Sequence, residues 1–523
     1  MKKKIIKKQK KKTKLIIFDG PIDDTWIEYI NNIYDKDKFL TLANGYKLNF
    51  RDDTKLFFET SNLKNTPPSF LANQMLIPCS YEYYSWDAML HTFVESNPKI
   101  IENKILKNYL KGLFENYFPK IYEFIEQNKI KSINLNPNYA LQSLINIFDS
   151  IFPMFNFEDI KIGRKNFNVI PKIELIKKCT LSIFIFSCTW TMNLLSNFVI
   201  KTKIEKLISD LFKADDLKGP IFDYYIDEET NDFELWTSLL KNDNYISSIG
   251  EKNKIFNYGK IFIHNIETIP YTWICEKLID NDKPFYFNGK DGSGKSFLLN
   301  TLFNKKSEEN MEIKKIKINT SYYTKPNEVE NYIFKNVIPI KRDLYGDKYT
   351  RQICLFIDDL NININKDKYG TSYLLEYLRE LQNDKFVYDI KNDQFNYLKK
   401  FNIYGCGNLS SNPYDEEFNR FISKFSIITY STNDDYYLLV FKPSLEFHLR
   451  QHIPNTSGVT STQYIQVLLK LNQLLKNSIK RIPSKLHISF NIKDIINILQ
   501  SFHLFEFKLS NDYPEYLKKI IFL

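Results

Sequence analysis

The chain has 523 residues, 43% hydrophobic and 26% charged, with 72 Lys and Arg against 62 Asp and Glu. That length asks for several domains, and the globular composition excludes a fibrous or wholly disordered chain. Net charge is +10, but Lys2, Lys3, Lys4, Lys7, Lys8, Lys10, Lys11, Lys12 and Lys14 crowd the first fourteen residues, so binding to nucleic acid or to a membrane surface would rest on that tail alone and is not expected.

Residues 1–14 read as a lysine-rich disordered tail. Leu15-Ile16-Ile17-Phe18-Asp19-Gly20 is an apolar strand ending in an acid, and residues 38–80 read as short strands and turns. Residues 15–80 therefore read as the C-terminal part of an α/β unit whose front is missing. Residues 81–215 are helical in pattern: Ile101, Leu106, Tyr109, Leu110, Leu113, Phe114 and Tyr117 recur at helix spacing. The stretch from Thr180 to Ile200 is the most hydrophobic. Ser182, Ser187, Thr189, Thr191, Asn193, Ser196 and Asn197 dilute it, which favours a buried helix over a membrane span. Acids and turn residues mark 216–254 as a connector. Strands alternate with helices over 255–435, a complete α/β unit. Residues 436–523 turn helical again and read as a truncated lid. The order is two copies of one plan, the first lacking its front.

The second copy carries the chemistry. Residues 289–296 read Gly289-Lys290-Asp291-Gly292-Ser293-Gly294-Lys295-Ser296, the phosphate-loop pattern G-x-x-x-x-G-K-[ST]. Gly289, Gly292 and Gly294 let backbone N–H groups turn inward around phosphate oxygens, with Ser293 among them. Lys295 can reach the β- and γ-phosphates, and the Ser296 hydroxyl can ligate Mg²⁺. The strand Pro284–Asn288 and the apolar helix opening at Phe297 flank it correctly for an anion site. Further on, Ile353-Cys354-Leu355-Phe356-Ile357-Asp358-Asp359 is a buried parallel strand ending in two acids. Asp358 can hold the Mg²⁺ shell, and Asp359 sits where a water-activating acid belongs. A Glu is usual there. The shorter Asp reaches less far, so hydrolysis is a weaker expectation than binding. The six cysteines form no C-x-x-C pair and read as buried reduced thiols; His448 and His452 read as helix-surface residues.

Two broken copies of a nucleotide domain plus helical lid resemble a tandem AAA+ machine, and the detailed residues resemble a dynein heavy chain. Residues 16–63 resemble the back half of the second AAA+ module of its motor ring. Phe222-Asp223-Tyr224-Tyr225-Ile226-Asp227 with Trp236-Thr237 resemble the connector to the third. Residues 354–379 resemble that module's Walker B strand and following helix, and 486–500 its lid. The fold implied is α/β: a P-loop NTPase of AAA+ type, a parallel sheet flanked by helices, with all-α lid subdomains. The resemblance implies ATP and Mg²⁺ as cofactors, with Gly289 to Ser296 as Walker A and Asp358 and Asp359 as Walker B. It also implies Asn408 as the first sensor, Ile266 against the adenine and Lys493 where the lid offers a sensor Arg. Arg420 matches the segment that reaches a neighbouring module's nucleotide. Departures accompany it: Asn73 stands nearest to an expected Arg, and Ser423 replaces a second Arg. The implied whole is a minus-end-directed microtubule motor of the cytoplasm, the cytoskeleton or the ciliary axoneme. Its implied partners are the remaining ring modules, intermediate and light chains, and the microtubule reached through a stalk. Two other readings fit the same residues: a catalytically silent nucleotide-binding scaffold, and a generic AAA+ remodeller.

Overall fold

A computed structural model describes residues 13–34, 38–42, 44–51, 53–79, 85–101, 104–128, 136–152, 172–196, 200–212, 219–227, 232–240, 265–290, 292–309, 311–360, 366–367, 370–389, 394–409, 416–430, 437–438, 441–442, 445–446, 458–478 and 492–503. The lysine tail up to residue 12, Asp291, His448 and His452 lie outside the described residues.

In the front unit, β1 (Lys14–Asp19) pairs in parallel with β2 (Thr54–Glu59). Between them, α1 (Asp24–Asn31) is capped by Asp23, whose carboxylate accepts from Thr25 N at 2.9 Å. A small core of Ile22, Ile27 and Phe70 holds this unit, with Trp26, Tyr34 and Phe58 against it. The sheet is thinly covered: Leu15 and Ile17 are 60% and 65% exposed.

The helical region comprises α2 (Trp86–Ser96), α3 (Lys104–Asn128), α4 (Pro137–Ile151), α5 (Lys172–Leu195) and α6 (Lys201–Phe212). Pro137 opens α4 and Asn136 caps it, accepting from Tyr139 N at 2.7 Å. The hydrophobic stretch forms most of α5. Its Thr180, Ser187 and Thr189 hydroxyls donate one turn back to the Ile176, Ile183 and Ile185 carbonyls, at 2.7, 2.8 and 2.8 Å. Those bonds pair these three hydroxyls in the core, whereas Thr191 Oγ1 and Asn193 Nδ2 of the same helix are buried without a partner among the described residues. No helix among the described residues is long and apolar enough to cross a membrane.

The described part of the connector is packed into the core. A hairpin of Tyr224–Ile226 and Phe233–Leu235 leads to Trp236, which is 1% exposed and donates through Nε1 to the Phe222 carbonyl at 3.0 Å. Its ring stacks on Tyr225 and meets Trp273 and Trp190 edge-on. Turn residues and acids hid this role, because burial comes from Tyr225 together with Trp190 and Trp273, which are distant in sequence.

The second α/β unit runs α7 (Ile269–Asp280), β3 (Phe285–Gly289), α8 (Lys295–Asn304), β4 (Ile313–Asn319), α9 (Pro326–Asn336), β5 (Gln352–Asp358), α10 (Tyr373–Asp384), β6 (Phe401–Gly407), α11 (Glu416–Ile422) and β7 (Ser426–Tyr430). Its five strands are all parallel, in the order β7-β3-β6-β5-β4. Every residue of β3, β6 and β7 is buried, as a sheet covered on both faces requires. Beside it lies a small mixed sheet of Ile338–Lys341, Leu344–Gly346, Phe386–Asp389 and Gln394–Leu398. Sequence reading did not anticipate it, because its strands are short and half-exposed.

One continuous core joins the helical region, connector and second α/β unit, from Leu90 to Tyr430. Polar contacts fix the join. Tyr139 donates to the Phe425 carbonyl at 2.7 Å and accepts from Ile427 N at 3.2 Å, so α4 grips the start of β7. Lys283 pairs with Asp149 at 2.7 Å. The C-terminal helices α12 (Gly458–Ser478) and α13 (Ile492–His503) have a separate core of Tyr437, Phe441, Leu445, Ile465, Leu468, Leu469, Ile495 and Leu499. Five cysteines are buried free thiols as expected, but Cys79 is exposed. It follows Pro78 in an irregular segment whose Met75, Leu76 and Ile77 also face solvent.

The N-terminal ends of β4 and β5 are tied by Asp347, which is 3% exposed. Its carboxylate accepts from Arg351 Nε at 2.8 Å and Tyr349 N at 3.0 Å, with Lys314 at 3.5 Å. The Arg351 bonds outweigh burial and hold its pKa down at about 2. A depressed carboxyl contributes stability above its unfolded value, and that contribution is lost as pH falls through the folded value. Asp347→Asn is therefore expected to cost about 2–3 kcal/mol at neutral pH, with the gap to wild type closing between about pH 4 and pH 2. Urea melts across that range check it.

Candidate nucleotide-binding site

The C-terminal edge of the parallel sheet gathers the expected residues. In an open parallel sheet, ligands bind outside the strands' carboxyl ends. The phosphate loop leaves β3 at Gly289 and enters α8 at Lys295. Gly292 and Gly294 take φ of 79° and 89°, the left-handed region that glycine enters without strain. Gly289 is fixed by closeness instead: a Cβ there would meet Ser293 Oγ and the Tyr430 carbonyl, each at 3.1 Å. Buried Leu298, Leu299, Leu302 and Phe303 pin α8 to the sheet and aim its N-terminus at the loop.

Two observations test whether the loop suits an anion. The Ser293 hydroxyl is buried inside it without a hydrogen-bond partner among the described residues, and the residue is 4% exposed. A buried polar atom left unpaired is costly unless a ligand satisfies it. Lys295, 5% exposed, donates through Nζ to the Gly289 and Lys290 carbonyls at 3.1 and 3.4 Å, so its charge lies within the cradle. The residues fit a bound phosphate group.

Beside the loop, Ser296 Oγ donates to Asp358 Oδ1 at 2.7 Å. Residues expected to share a metal ion are thus in direct contact, 62 positions apart. Burial would raise the Asp358 pKa, but bonds from Cys406 and Ser296, with Lys317 nearby, outweigh it and hold the carboxyl below its usual range. Lys317 Nζ stands 3.6 Å from Asp358 Oδ2. Cys406 Sγ donates to Asp358 Oδ1 at 2.9 Å and lies 3.5 Å from Ser296 Oγ. Burial, with Asp358 adding to it, pushes this thiol up to about 12, so it remains a protonated donor.

Asp359 is exposed, with φ of 52°, and its N–H donates to Asp358 Oδ1 at 3.1 Å. Non-glycine residues in that region gather at functional turns, and Asp tolerates it better than most. Asn408 follows the end of β6, where the register places Gly407 opposite Asn288. Asn288 steadies that turn by accepting from Leu409 N at 3.0 Å. Asn408 therefore shares the sheet edge with Gly289 and Asp358. Ile266 stands 45% exposed in the turn before α7. That turn is set by Asn265, which accepts from Glu267 N and Thr268 N, each at 3.0 Å. Lys493 lies in the C-terminal helices. It is exposed in the first turn of α13, and no hydrogen bond or ion pair among the described residues joins it to residues 289–296.

Arg420 reaches the front unit. It pairs with Asp19 at the end of β1 and with Glu376 at 3.5 Å. Arg379 joins the same cluster. Its Nη1 donates to Asp19 Oδ2 at 2.7 Å, and its Nε to Glu376 Oε2 at 2.9 Å. A small cleft of about 180 Å³ opens next to it, lined by Ile22, Asp23, Asn62 and Lys64 from the front unit and by Thr371 and Glu417 from the second.

Sequence reasoning missed Cys406, Lys317 and Arg379. Proximity in sequence could have found the first, since Cys406 stands two residues before Asn408 at the end of β6. Arg379 had no local signal, because its partner Asp19 is 360 positions away.

This is a P-loop nucleotide-binding fold with a helical lid region. The family described as P-loop containing dynein motor region matches residues 251–433, and the dynein heavy chain AAA lid domain matches 110–238. The chain is 24% identical over 516 residues to dynein axonemal heavy chain 12 of Mus musculus, covering 94% of this chain and 16% of that protein. It is 22% identical over 500 residues to dynein axonemal heavy chain 2 of Homo sapiens, covering 94% and 11%. Dynein heavy chain-like protein 2 of Plasmodium falciparum is 24% identical over 500 residues, with 93% and 9% covered. The chain belongs to the dynein heavy chain family, and it spans 9–16% of the length of these relatives.

Proposed function

We propose that the chain is an ATP-binding part of a dynein heavy-chain motor ring, with its site at residues 289–296. The observation that carries this reading is the joining of a complete phosphate loop, with Ser293 unpaired inside it, to the Ser296–Asp358 contact at 2.7 Å. Lys295 binds the β- and γ-phosphates. Ser296 and Asp358 hold Mg²⁺, which neutralises phosphate charge when bound. Asp359 and Asn408 orient the attacking water, Ile266 lies against the adenine, and Lys493 reaches the site by closure of the C-terminal lid. Arg420 serves a different nucleotide, one bound by the unit that contains Asp19; its place beside Asp19 supports that reading.

The domain division follows from this: residues 15–80 and 81–215 form one module and lid, 216–254 the connector, and 255–435 with 436–523 the next. The whole protein is then a microtubule motor, minus-end directed, working with the other ring modules and with intermediate and light chains. Its axonemal relatives support a place in the cytoskeleton of the cilium. A catalytically silent site is the second reading, favoured by Asp359 standing where a longer Glu would reach the water.

Hydrolysis by the isolated chain is expected to be slow, below roughly one turnover per second. Asp359 is short, and an arginine donated by a neighbouring ring unit is worth about 10³ to 10⁵ in rate at related sites. Phosphate release by the purified 523-residue chain tests this. Several turnovers per second, abolished by Asp358→Ala, would contradict the slow-turnover expectation and rule out the silent reading.

A further inference from the structure

We infer that Cys406 is a positioning residue of the metal shell, its thiol holding the Asp358 carboxylate in the orientation that Ser296 and Mg²⁺ require. The inference rests on the nucleotide reading above.

Asp358 Oδ1 accepts three hydrogen bonds: from Ser296 Oγ at 2.7 Å, from Cys406 Sγ at 2.9 Å and from Asp359 N at 3.1 Å. These donors are not equivalent. A hydroxyl that also ligates a cation has its direction set by the cation. The Asp359 N–H belongs to a turn residue with positive φ at the surface. The thiol has neither constraint. It projects from the central strand β6, where Cys406 is 0% exposed and registers with Phe287 of β3. Its carbonyl accepts from Leu360 N at 3.1 Å, which anchors the chain just past the two acids. Cys406 thus ties both the carboxylate and the backbone behind it to the stiffest part of the sheet. Side chains that must be held to within a fraction of an ångström are best supported from such elements.

Position 406 also lies on the strand that ends at Gly407, directly before Asn408, so one rigid element would set the metal acid and the water-orienting amide together. Gly405 supports this arrangement: a Cβ there would meet the Tyr286 ring at 3.0 Å and Leu360 at 3.1 Å, so β6 packs too closely to shift.

The test is equilibrium binding of ATP to the full chain, once in excess Mg²⁺ and once in EDTA. Cys406→Ala is expected to weaken binding about five- to tenfold in Mg²⁺, the worth of one ordinary hydrogen bond because a thiol is a weak donor, and to leave metal-free binding unchanged. Cys406→Ser restores a donor and is expected to stay within about twofold of wild type in both conditions. Cys406→Val fills the space without the donor and must behave as Ala, which guards against a cavity effect. Ala and Val variants that match wild type in Mg²⁺, or lose the same factor with and without it, would overturn the inference. Failure of wild type to bind ATP at all would overturn the reading of the site itself, and this inference with it.

Discussion

Lys295→Ala is expected to weaken ATP binding in Mg²⁺ by about 10- to 150-fold, the equivalent of 1.5–3 kcal/mol for charge-assisted contacts in a buried site. The ammonium is inside the cradle already, on the Gly289 and Lys290 carbonyls. Moving to a phosphate exchanges two neutral acceptors for charged ones, and charge-assisted bonds are roughly twice as strong. The fold should survive. Leu298, Leu299, Leu302 and Phe303 still bury α8 against the sheet. Titration with a fluorescent ATP analogue, alongside thermal melts of both proteins, checks the expectation. Equal affinity in the two would contradict it.

Arg379→Ala is expected to loosen the front unit from the second α/β unit, at a cost of about 2–3 kcal/mol. Removing one partner from a buried ion pair usually costs about 3–5 kcal/mol, because it strands the other charge. The smaller figure applies here because the Asp19 side chain is 38% exposed and partly solvated. Arg379 itself is 5% exposed and serves both Asp19 and Glu376, so Arg420 alone is left to balance two carboxylates. Hydrogen exchange should then speed up across β1 and β2 while β3 to β7 stay protected. The same coupling should fade in acid. Burial would raise the Asp19 pKa, but Arg379 and Arg420 outweigh it and lower it. Its contribution is therefore full above the ordinary carboxylate range and lost as pH falls through the depressed value. Unchanged exchange in Arg379→Ala would show that the cluster holds nothing together.

The second α/β unit was legible in the sequence because its signals are local. An apolar run ending in acids makes β5, and glycines at fixed offsets make the loop. Both occur within a few residues and need no distant partner. The site was legible for the same reason: Ser296 and Asp358 each carry their own motif, and the parallel sheet brings the two together. Features that depend on long-range packing were not legible. Trp236 lies in a stretch of turn residues and acids, and only Trp190, Tyr225 and Trp273 reveal that it is core. The Asp19–Arg379 pair joins two units through residues unremarkable in isolation. Cys406 read as one more buried thiol, and its contact with Asp358 depends on the neighbouring of β5 and β6. Cys79 misled in the other direction: most cysteines here sit in apolar strands and helices, but this one lies in an irregular exposed segment.

The central claim is that residues 289–296 bind a nucleoside triphosphate together with Mg²⁺. Calorimetric titration of the full chain with ATP tests it most directly. The expected result is saturable binding at a single strong site, weakened when Mg²⁺ is withdrawn and when Asp358 is replaced by Asn. No saturable binding, or binding indifferent to both Mg²⁺ and Asp358→Asn, would contradict it.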